Sequence, residues 1–244
     1  MEMIKKVKPY NIYESKKKQI SRMFDNISFK YDIINKIISF GSDRIWRKKL
    51  VKIISSSKPK KTLDIATGTA EVAIELAKIE NNKVLGIDIS NKMLEIAKKK
   101  IIRLKLENKV SLTNEDVEKM NFTDNSFDAI TIAFGVRNFE DINKSLREVF
   151  RVMKSKGVLV ILETSVPNNK FFKSLYKIFS KTLLPFVGLV VSGDLEAYKY
   201  LSNSTLNFPN KTSFCNILSK NGFIKVKFQQ YSFGIVSIYS AGKP

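Results

Sequence analysis

The 244-residue chain has no histidine and a single cysteine, Cys215. These two absences remove whole classes of chemistry. An intrachain disulfide needs two cysteines, zinc sites of the Cys/His type need several such ligands, and Ser-His-Asp or Cys-His catalysis needs an imidazole. Any general base is therefore Asp, Glu, Tyr, Lys or a water molecule. Cys215, between Phe214 and Asn216 in a segment that reads as helix, is assigned to the core. Long apolar runs are missing too. The most apolar stretch, "TLLPFVGLVV" at 182–191, is half the roughly 20 residues a spanning helix needs, and Pro185 and Gly188 interrupt it. The opening "MEMIKKVKPYN" has charge but no apolar h-region, so the expectation is a cytoplasmic chain without a secretory signal.

What is present is a globular composition, 43% hydrophobic, of a length that suits one domain with an appendage. The formal charge of +20 invites a nucleic-acid or anionic-membrane reading. The lysines are nevertheless spread along the whole chain among many Ile and Asn residues, a mixture that an AT-rich genome also produces, so the charge alone is ambiguous. The clusters "KKVK" at 5–8 and "KKK" at 16–18 are read as a solvated N-terminal arm.

Residues 15–55 read as helices, with Ile20, Met23, Phe24 and Ile27, then Trp46, Leu50 and Ile53–Ile54, at helical spacing. "SSSKPKK" at 55–61 is the clearest boundary, dividing an N-terminal helical segment (1–58) from the rest (59–244). Beyond it strands alternate with helices: "TLDIA" (62–66), "KVLGID" (83–88), "KVSLTN" (109–114), "FDAITIAFG" (127–135) and "GVLVILETS" (157–165), with helices predicted at 71–79, 91–105 and 141–153. Strands separated by helices of this length form βαβ units and a parallel sheet. The tail "GFIKVKFQQYSFGIVSIYSAG" holds two β-rich runs around Gly234, read as a hairpin closing one edge of the sheet.

"LDIATGTAEVA" (63–73) follows the first strand and opens a helix, so its turn aims backbone N–H groups at a ligand. Asp88 ends the second strand, at the roughly 20-residue offset where a carboxylate meets ribose hydroxyls. A dinucleotide loop needs G-x-G-x-x-G so that backbone can approach pyrophosphate. Here Ala70 and Ala73 stand at the second and third glycines, and the extra Cβ at 70 is expected to obstruct a pyrophosphate. Asp64 and Glu71 add negative charge that repels phosphate and suits an ammonium or a sulfonium. S-adenosylmethionine has a ribose, no phosphate and two positive centres, and fits on each point. Ala66, Gly68 and Thr69 in the loop, Asp88 at the ribose and Asp116 at the adenine end are the candidate contacts.

A second motif lies at "TIAFGVRNFED" (131–141), where a buried strand meets Gly135 and then sets Arg137 beside Asn138. The carboxyl ends of strands form the ligand crevice of an open α/β sheet. Two readings stand: a turn that caps the next helix, with Arg137 paired to Glu140 or Asp141, or a catalytic pair.

The chain resembles the ubiquinone/menaquinone biosynthesis C-methyltransferases from about residue 19 to its end, and most of all their demethylmenaquinone branch. The resemblance is carried by "FDNISFKYDIINKIISFGSDRIWRKKL", "LDIATGTAE", "GIDISNKML", "FTDNSFDAITIAFGVRNFED", "AYKYLSNSTLNFP" and "GFIKVKFQQYSFGIVSIYSAGK". It implies a class I SAM-dependent methyltransferase (Rossmann-like) fold: a mostly parallel seven-stranded sheet with an antiparallel C-terminal hairpin, plus N-terminal helices. It further implies cofactor contacts at Thr69, Asp88, Asp116 and Val117, and C-methylation of a prenylated quinol, demethylmenaquinol or a 2-methoxy-6-polyprenyl-1,4-benzoquinol. Departures from the family pattern are "TGTAE" for its "TGTGD", "KSKG" for its "KPGG" and "LETS" for its "LEFS". On this reading Arg137 lowers the cost of ionising the acceptor hydroxyl, Asn138 orients that oxygen or a water, and Tyr198 and Tyr200 of "AYKYL" line the ring pocket.

Residues 166–205 form a helical insertion whose "FFKSLYKIFSKTLLPFVGLVV" is either core or a face for a polyprenyl tail and anionic lipid. Tyr31 and Trp46 are candidate covers for the cofactor, with a core role for Trp46 as the alternative. Peripheral contact with the inner face of the cell membrane and a homodimer both stay open. No metal site is expected. A nucleic-acid methyltransferase, the competing class, has a [DN]-P-P-[FY] turn or a nucleophilic cysteine at this strand end; "AFGVRNF" has neither, so no nucleic-acid partner is expected. A non-enzymatic SAM-binding scaffold is the remaining alternative.

Overall fold

A computed structural model describes residues 7–10, 13–209 and 211–244. Seven strands form one sheet in the order β3-β2-β1-β4-β5-β7-β6. Strands β1 (Lys61–Ile65), β2 (Lys83–Asp88), β3 (Val110–Asn114), β4 (Phe127–Ala133) and β5 (Met153–Thr164) run parallel. β7 (Val236–Gly242) lies antiparallel between β5 and β6 (Ile224–Tyr231). The central strands read as continuous apolar runs because both of their faces are covered. One face packs Leu63, Ile65, Ile130 and Ile132 against α5 (Ile142–Val152) and α9 (Thr212–Lys220). The other packs Val84, Ala129 and Val160 against α2 (Ser42–Ser55), α3 (Glu71–Leu76) and α4 (Asn91–Arg103). The expected sheet and edge hairpin are both present. Cys215 is half-buried in α9 against the first of these clusters.

Strand order reverses between β1 and β4, so the turns after both strands open on the same end of the sheet, at the crevice where ligands bind. The long helix α1 (Lys16–Ile38) crosses that end. Its bonds fall on one strand-end turn after another: Lys16 Nζ donates to the Arg137 and Phe139 carbonyls at 3.0 and 2.9 Å, Ser21 to the Ile89 carbonyl at 3.1 Å, and Asp25 accepts from Ser90 at 2.6 Å. Lys5 and Lys6 of the N-terminal arm lie outside the described residues, but Lys16 and Lys17 correct the expectation of a solvated arm. Ser15 caps α1 by accepting the Lys18 N–H, which places both lysines in the first helical turn, with their stems leaning over the site.

The insertion forms α6 (Lys170–Ile178), a π turn at Phe179–Leu183, α7 (Leu184–Ser192) and α8 (Leu195–Asn207). α7 and α8 pack closely: a Cβ on Gly188 would lie 2.2 Å from the Tyr198 ring. No helix among the described residues is long and apolar enough to cross a membrane.

Candidate active site

Two cavities meet at the carboxyl ends of the strands. The first is walled by Ile65, Ala66 and Gly68 from the β1 turn, Asp88 and Ile89 from β2, Asp116 and Val117 after β3, and Phe134, Gly135 and Asn138 after β4. It brings together five of the six residues expected at the cofactor. Gly135 is needed for this closeness, since a Cβ there would sit 2.6 Å from the Ala66 Cβ. The Asp88 carboxylate accepts the Gly68 N–H at 2.8 Å and the Ser90 N–H at 2.9 Å. These bonds fix its orientation, while burial pushes its pKa up against their pull. Asp116 accepts the Glu118 N–H at 2.9 Å and an ion pair from Lys17 at 2.6 Å.

Thr69 is the sixth, and it lines the second cavity instead, with its hydroxyl donating to Asp32 of α1 at 2.6 Å. Ala70 lines neither cavity. Its methyl is buried in the core below α3, and the residue sits at φ +66°, the left-handed region that costs a side chain about 1–2 kcal/mol. The expected obstruction of a pyrophosphate by this Cβ is therefore corrected, because the methyl is buried in the core and faces neither cavity. Charge discriminates instead. Asp88, Glu115, Asp116, Glu118 and Glu140 wall the first cavity against one lysine, Lys17. In a chain of net charge +20 this local field repels phosphates and attracts a sulfonium. Asp64, behind the loop, is held by the Thr67 and Thr131 hydroxyls at 2.6 Å each, and burial raises its pKa to about 6. The lining fits S-adenosylmethionine, a ligand with a ribose and positive charge and no phosphate, and Asp88, Asp116, Val117 and Gly68 are the residues that would hold it.

The second cavity shares Ala66, Gly68, Ala133 and Phe134 with the first and continues past Arg137, Thr164, Tyr176, Leu201 and Thr205. Arg137 and Asn138 belong to a single 3-10 turn, Val136–Asn138, and both reach back to the Phe134 carbonyl, at 2.9 and 3.4 Å. Neither caps the next helix; Asp141 does that, accepting the Lys144 N–H at 3.0 Å. Arg137 is not paired with Glu140 or Asp141. Its partner is Glu163, fully buried at the end of β5, which bonds Arg137 Nη1 and accepts the Thr164 N–H at 2.8 Å. Arg137 Nε is buried with no hydrogen-bond partner. Asn138 accepts the Tyr200 hydroxyl at 3.1 Å.

Tyr198, expected in the ring pocket, is corrected: it is 1% exposed in the helical core against Gly188 and lines neither cavity. Tyr200, expected there too, also lines neither cavity; positions 198 and 200 of α8 point about 200° apart, and the buried Tyr200 hydroxyl reaches Asn138 instead. Tyr31 lines both cavities, and Trp46 lines the second with its indole N–H on Ser232 at 2.9 Å. Sequence reasoning missed Glu163. Its signal was available, because an acid ending an apolar strand is also what marks Asp88. Among the described residues no group of acids or cysteine is arranged to hold a metal ion.

A sheet of this order with an acidic nucleoside cleft at the β1 and β2 ends defines a class I SAM-dependent methyltransferase. A SAM-dependent methyltransferase from Aquifex aeolicus has the same fold, at 19% identity and a TM-score of 0.60 over 86% of this chain and 96% of that one. The chain belongs to the ubiE/COQ5 methyltransferase family, which matches residues 12–243. It is 40% identical to demethylmenaquinone methyltransferase of Bacteroides fragilis over 98% of both chains. It is 46% identical to the Thermotoga maritima protein of that name, over 91% of this chain and 95% of that one. It is 39% identical to the ubiquinone/menaquinone biosynthesis C-methyltransferase UbiE of Rickettsia felis, over 95% of each. The chain is thus a methyltransferase, with S-adenosylmethionine as its methyl donor.

Proposed function

We propose that the chain methylates a ring carbon of a prenylated quinol, converting demethylmenaquinol to menaquinol in menaquinone biosynthesis. The observation that carries this reading is the second cavity, which adjoins the cofactor cavity, holds the buried Arg137, and has an apolar side formed by Trp46, Phe134, Phe179, Leu184 and Leu201 opposite its paired acids. An apolar ring with one ionisable oxygen matches such walls. Methyl transfer from a sulfonium is an in-line displacement whose leaving group needs no acid, so the protein supplies alignment, exclusion of water and a nucleophilic acceptor. A hydroquinol carbon becomes nucleophilic when its hydroxyl ionises, and Arg137 on the second cavity stabilises that oxyanion. Asn138, held by Tyr200, faces the first cavity, where it can reach the oxygen only from the cofactor side. The name of the Rickettsia felis relative supports a benzoquinol precursor of ubiquinone as a second acceptor.

The tail calls for a lipid surface, and the insertion offers one to the inner face of the cell membrane. α6 exposes Phe171, Leu175 and Ile178, and α7 exposes Phe186 and Val190. Lys170, Lys173, Lys177 and Lys181 flank them, and residues 165–193 include no acid. An apolar stripe beside a lysine stripe suits anionic headgroups. A second copy of the chain is the competing cover for that face.

The test supplies methyl-labelled S-adenosylmethionine with demethylmenaquinol or with 2-methoxy-6-polyprenyl-1,4-benzoquinol, kept reduced. Label is expected in menaquinol, and label in neither product overturns the reading. Sedimentation with phosphatidylglycerol vesicles, with and without Phe171→Ser and Phe186→Ser together, tests the lipid face. Sedimentation velocity without lipid tests the dimer.

A further inference from the structure

A quinol hydroxyl must lose its proton before its ring becomes nucleophilic, and the chain has no histidine to take it. Burial pushes the hydroxyls of Tyr31, Tyr176 and Tyr200 up, so these stay protonated near neutrality. Four carboxylates line the acceptor cavity, and each is engaged. Asp32 takes Lys100 and Thr69, Glu71 takes Lys100 and Arg47, and Asp43 takes Arg47 and Ser39. Asp64 holds two threonine hydroxyls on the cofactor side.

Glu163 remains. It has no surface of its own on the cavity, but its neighbour does: Thr164 lines the cavity and donates its hydroxyl to Glu163 Oε1 at 3.2 Å. Thr164 Oγ1 is also 2.9 Å from Thr205 Oγ1, a second hydroxyl on the same wall. The groups that feel Glu163 from the surrounding elements are one cation, Arg137, and three protonated tyrosines, Tyr176 on α6, Tyr200 on α8 and Tyr239 on β7.

We propose that Glu163 is the proton acceptor of the reaction, reached through the Thr164 hydroxyl with Thr205 beside it. The proposal rests on the quinol reading above. The acceptor O–H bond breaks and its proton passes to Thr164 Oγ1, while the proton of Thr164 passes to Glu163 Oε1. Glu163 becomes neutral as the phenolate forms, so one anion replaces another beside the same buried cation, Arg137. The net charge of the site is unchanged, which avoids the cost of creating an unpaired charge away from water. The ring carbon then bonds the methyl group as the sulfur–carbon bond breaks with its electron pair going to sulfur. The methylated carbon loses its hydrogen to water as a proton. The oxygen, charged again, recovers the proton stored on Glu163 by the same route, and one proton is released per turnover.

The test compares two acceptors in single-turnover methylation: an ordinary demethylmenaquinol analogue and a ring-halogenated one whose hydroxyl is more acidic. Glu163→Gln and Thr164→Val are each expected to slow the ordinary acceptor about 10²–10³-fold relative to wild type. With the acidic acceptor most of that deficit should vanish, and Thr164→Ser should stay near wild type with both. Glu163→Gln also loosens Arg137, and an acidic acceptor would rescue that loss as well. Thr164→Val leaves the Arg137–Glu163 pair in place and so decides the matter: a deficit equal with both acceptors in that variant overturns the proposal. So does a wild-type rate in Thr164→Val, which carries the comparison if Glu163→Gln does not fold. If wild-type protein methylates no quinol, the acceptor reading falls and the relay falls with it. If wild type is active and the deficits are equal, the relay alone falls.

Discussion

The cofactor and acceptor cavities share Ala66, Gly68, Ala133 and Phe134 as a wall, and they are charged and assembled on different plans. Asp88 and Asp116, the polar contacts of the first, stand at or just past the ends of neighbouring strands, each fixed by backbone N–H groups next to it. The acceptor cavity draws on segments from Tyr31 to Val236, and its central charge is a pair interlocked away from water, Arg137 with Glu163. A cofactor of fixed shape can be met by independent point contacts on rigid strand ends. The acceptor cavity is instead assembled from helices and loops, its charges held in pairs and its apolar side given by Trp46, Phe134, Phe179, Leu184 and Leu201. The contacts of the first site can therefore be removed singly, whereas taking one member from the second strands its partner.

The largest effect should come from breaking that pair. Arg137→Ala is expected to lower methyl transfer about 10²–10³-fold, with S-adenosylmethionine affinity nearly unchanged because Asp88 and Asp116 remain. In that variant the rate should climb with pH as the unassisted hydroxyl ionises. Arg137→Lys keeps a counter-charge for Glu163 and should recover part of the rate, lacking the planar fork. Single-turnover rates and calorimetry on one folded preparation decide the matter, and a wild-type rate for Arg137→Ala would reduce the residue to a structural pairing.

Next in size is Asp88→Ala, which should weaken cofactor binding by about 1.5–3 kcal/mol, the range for a lost charge-assisted hydrogen bond. If calorimetry finds tight NAD binding and none of S-adenosylmethionine, the reading of the first cavity is wrong. Asp64 gives a smaller effect with a definite sign. Its folded pKa of about 6 lies above its unfolded value. Its contribution to stability is therefore full below about pH 4 and is lost as pH rises through about 6. Asp64→Asn should melt higher than wild type at pH 8, with the gap closing below pH 4. Cofactor binding should move the other way, since an ammonium favours the ionised carboxylate. Wild-type affinity should drop about three- to tenfold as pH falls through 6, a step absent in Asp64→Asn. The smallest change is expected from Ala70→Gly. Relief of about 1 kcal/mol of left-handed strain is offset by about 0.8 kcal/mol of lost methyl burial, and affinity should stay within about twofold. A large gain in affinity would mean that the methyl does face the ligand.

The same contrast explains what could be read before the fold was known. The cofactor side is local: apolar strands bounded by helices of regular period announce β1 to β3, and Asp88 ends β2 while Asp116 stands two residues past β3. The acceptor side depends on which distant segments meet. "FGVRNF" marked Arg137 and Asn138, but not that Glu163, on the next strand, would be the partner in preference to Glu140 and Asp141. Tyr198 and Tyr200 differ only in the rotation of α8, which the packing of Gly188 on Tyr198 sets. Lys16 and Lys17 looked like solvated charge because nothing in sequence shows a helix lying across strand ends.

The ion pair of Lys17 with Asp116 gives that helix a further consequence. Both side chains are partly exposed, 43% and 25%, and the lysine occupies the carboxylate that an adenine amino group would use. Nucleoside binding at Asp116 would then be an exchange, one donor leaving as another arrives, with the departing ammonium recovering its hydration. At 2.6 Å the pair lies well inside the Debye length of about 8–10 Å, so it is exposure to water, more than dissolved salt, that keeps it weak. An adenine amino group and Lys17 would thus compete for one carboxylate, and the strength of that pair would enter the cost of binding the nucleoside.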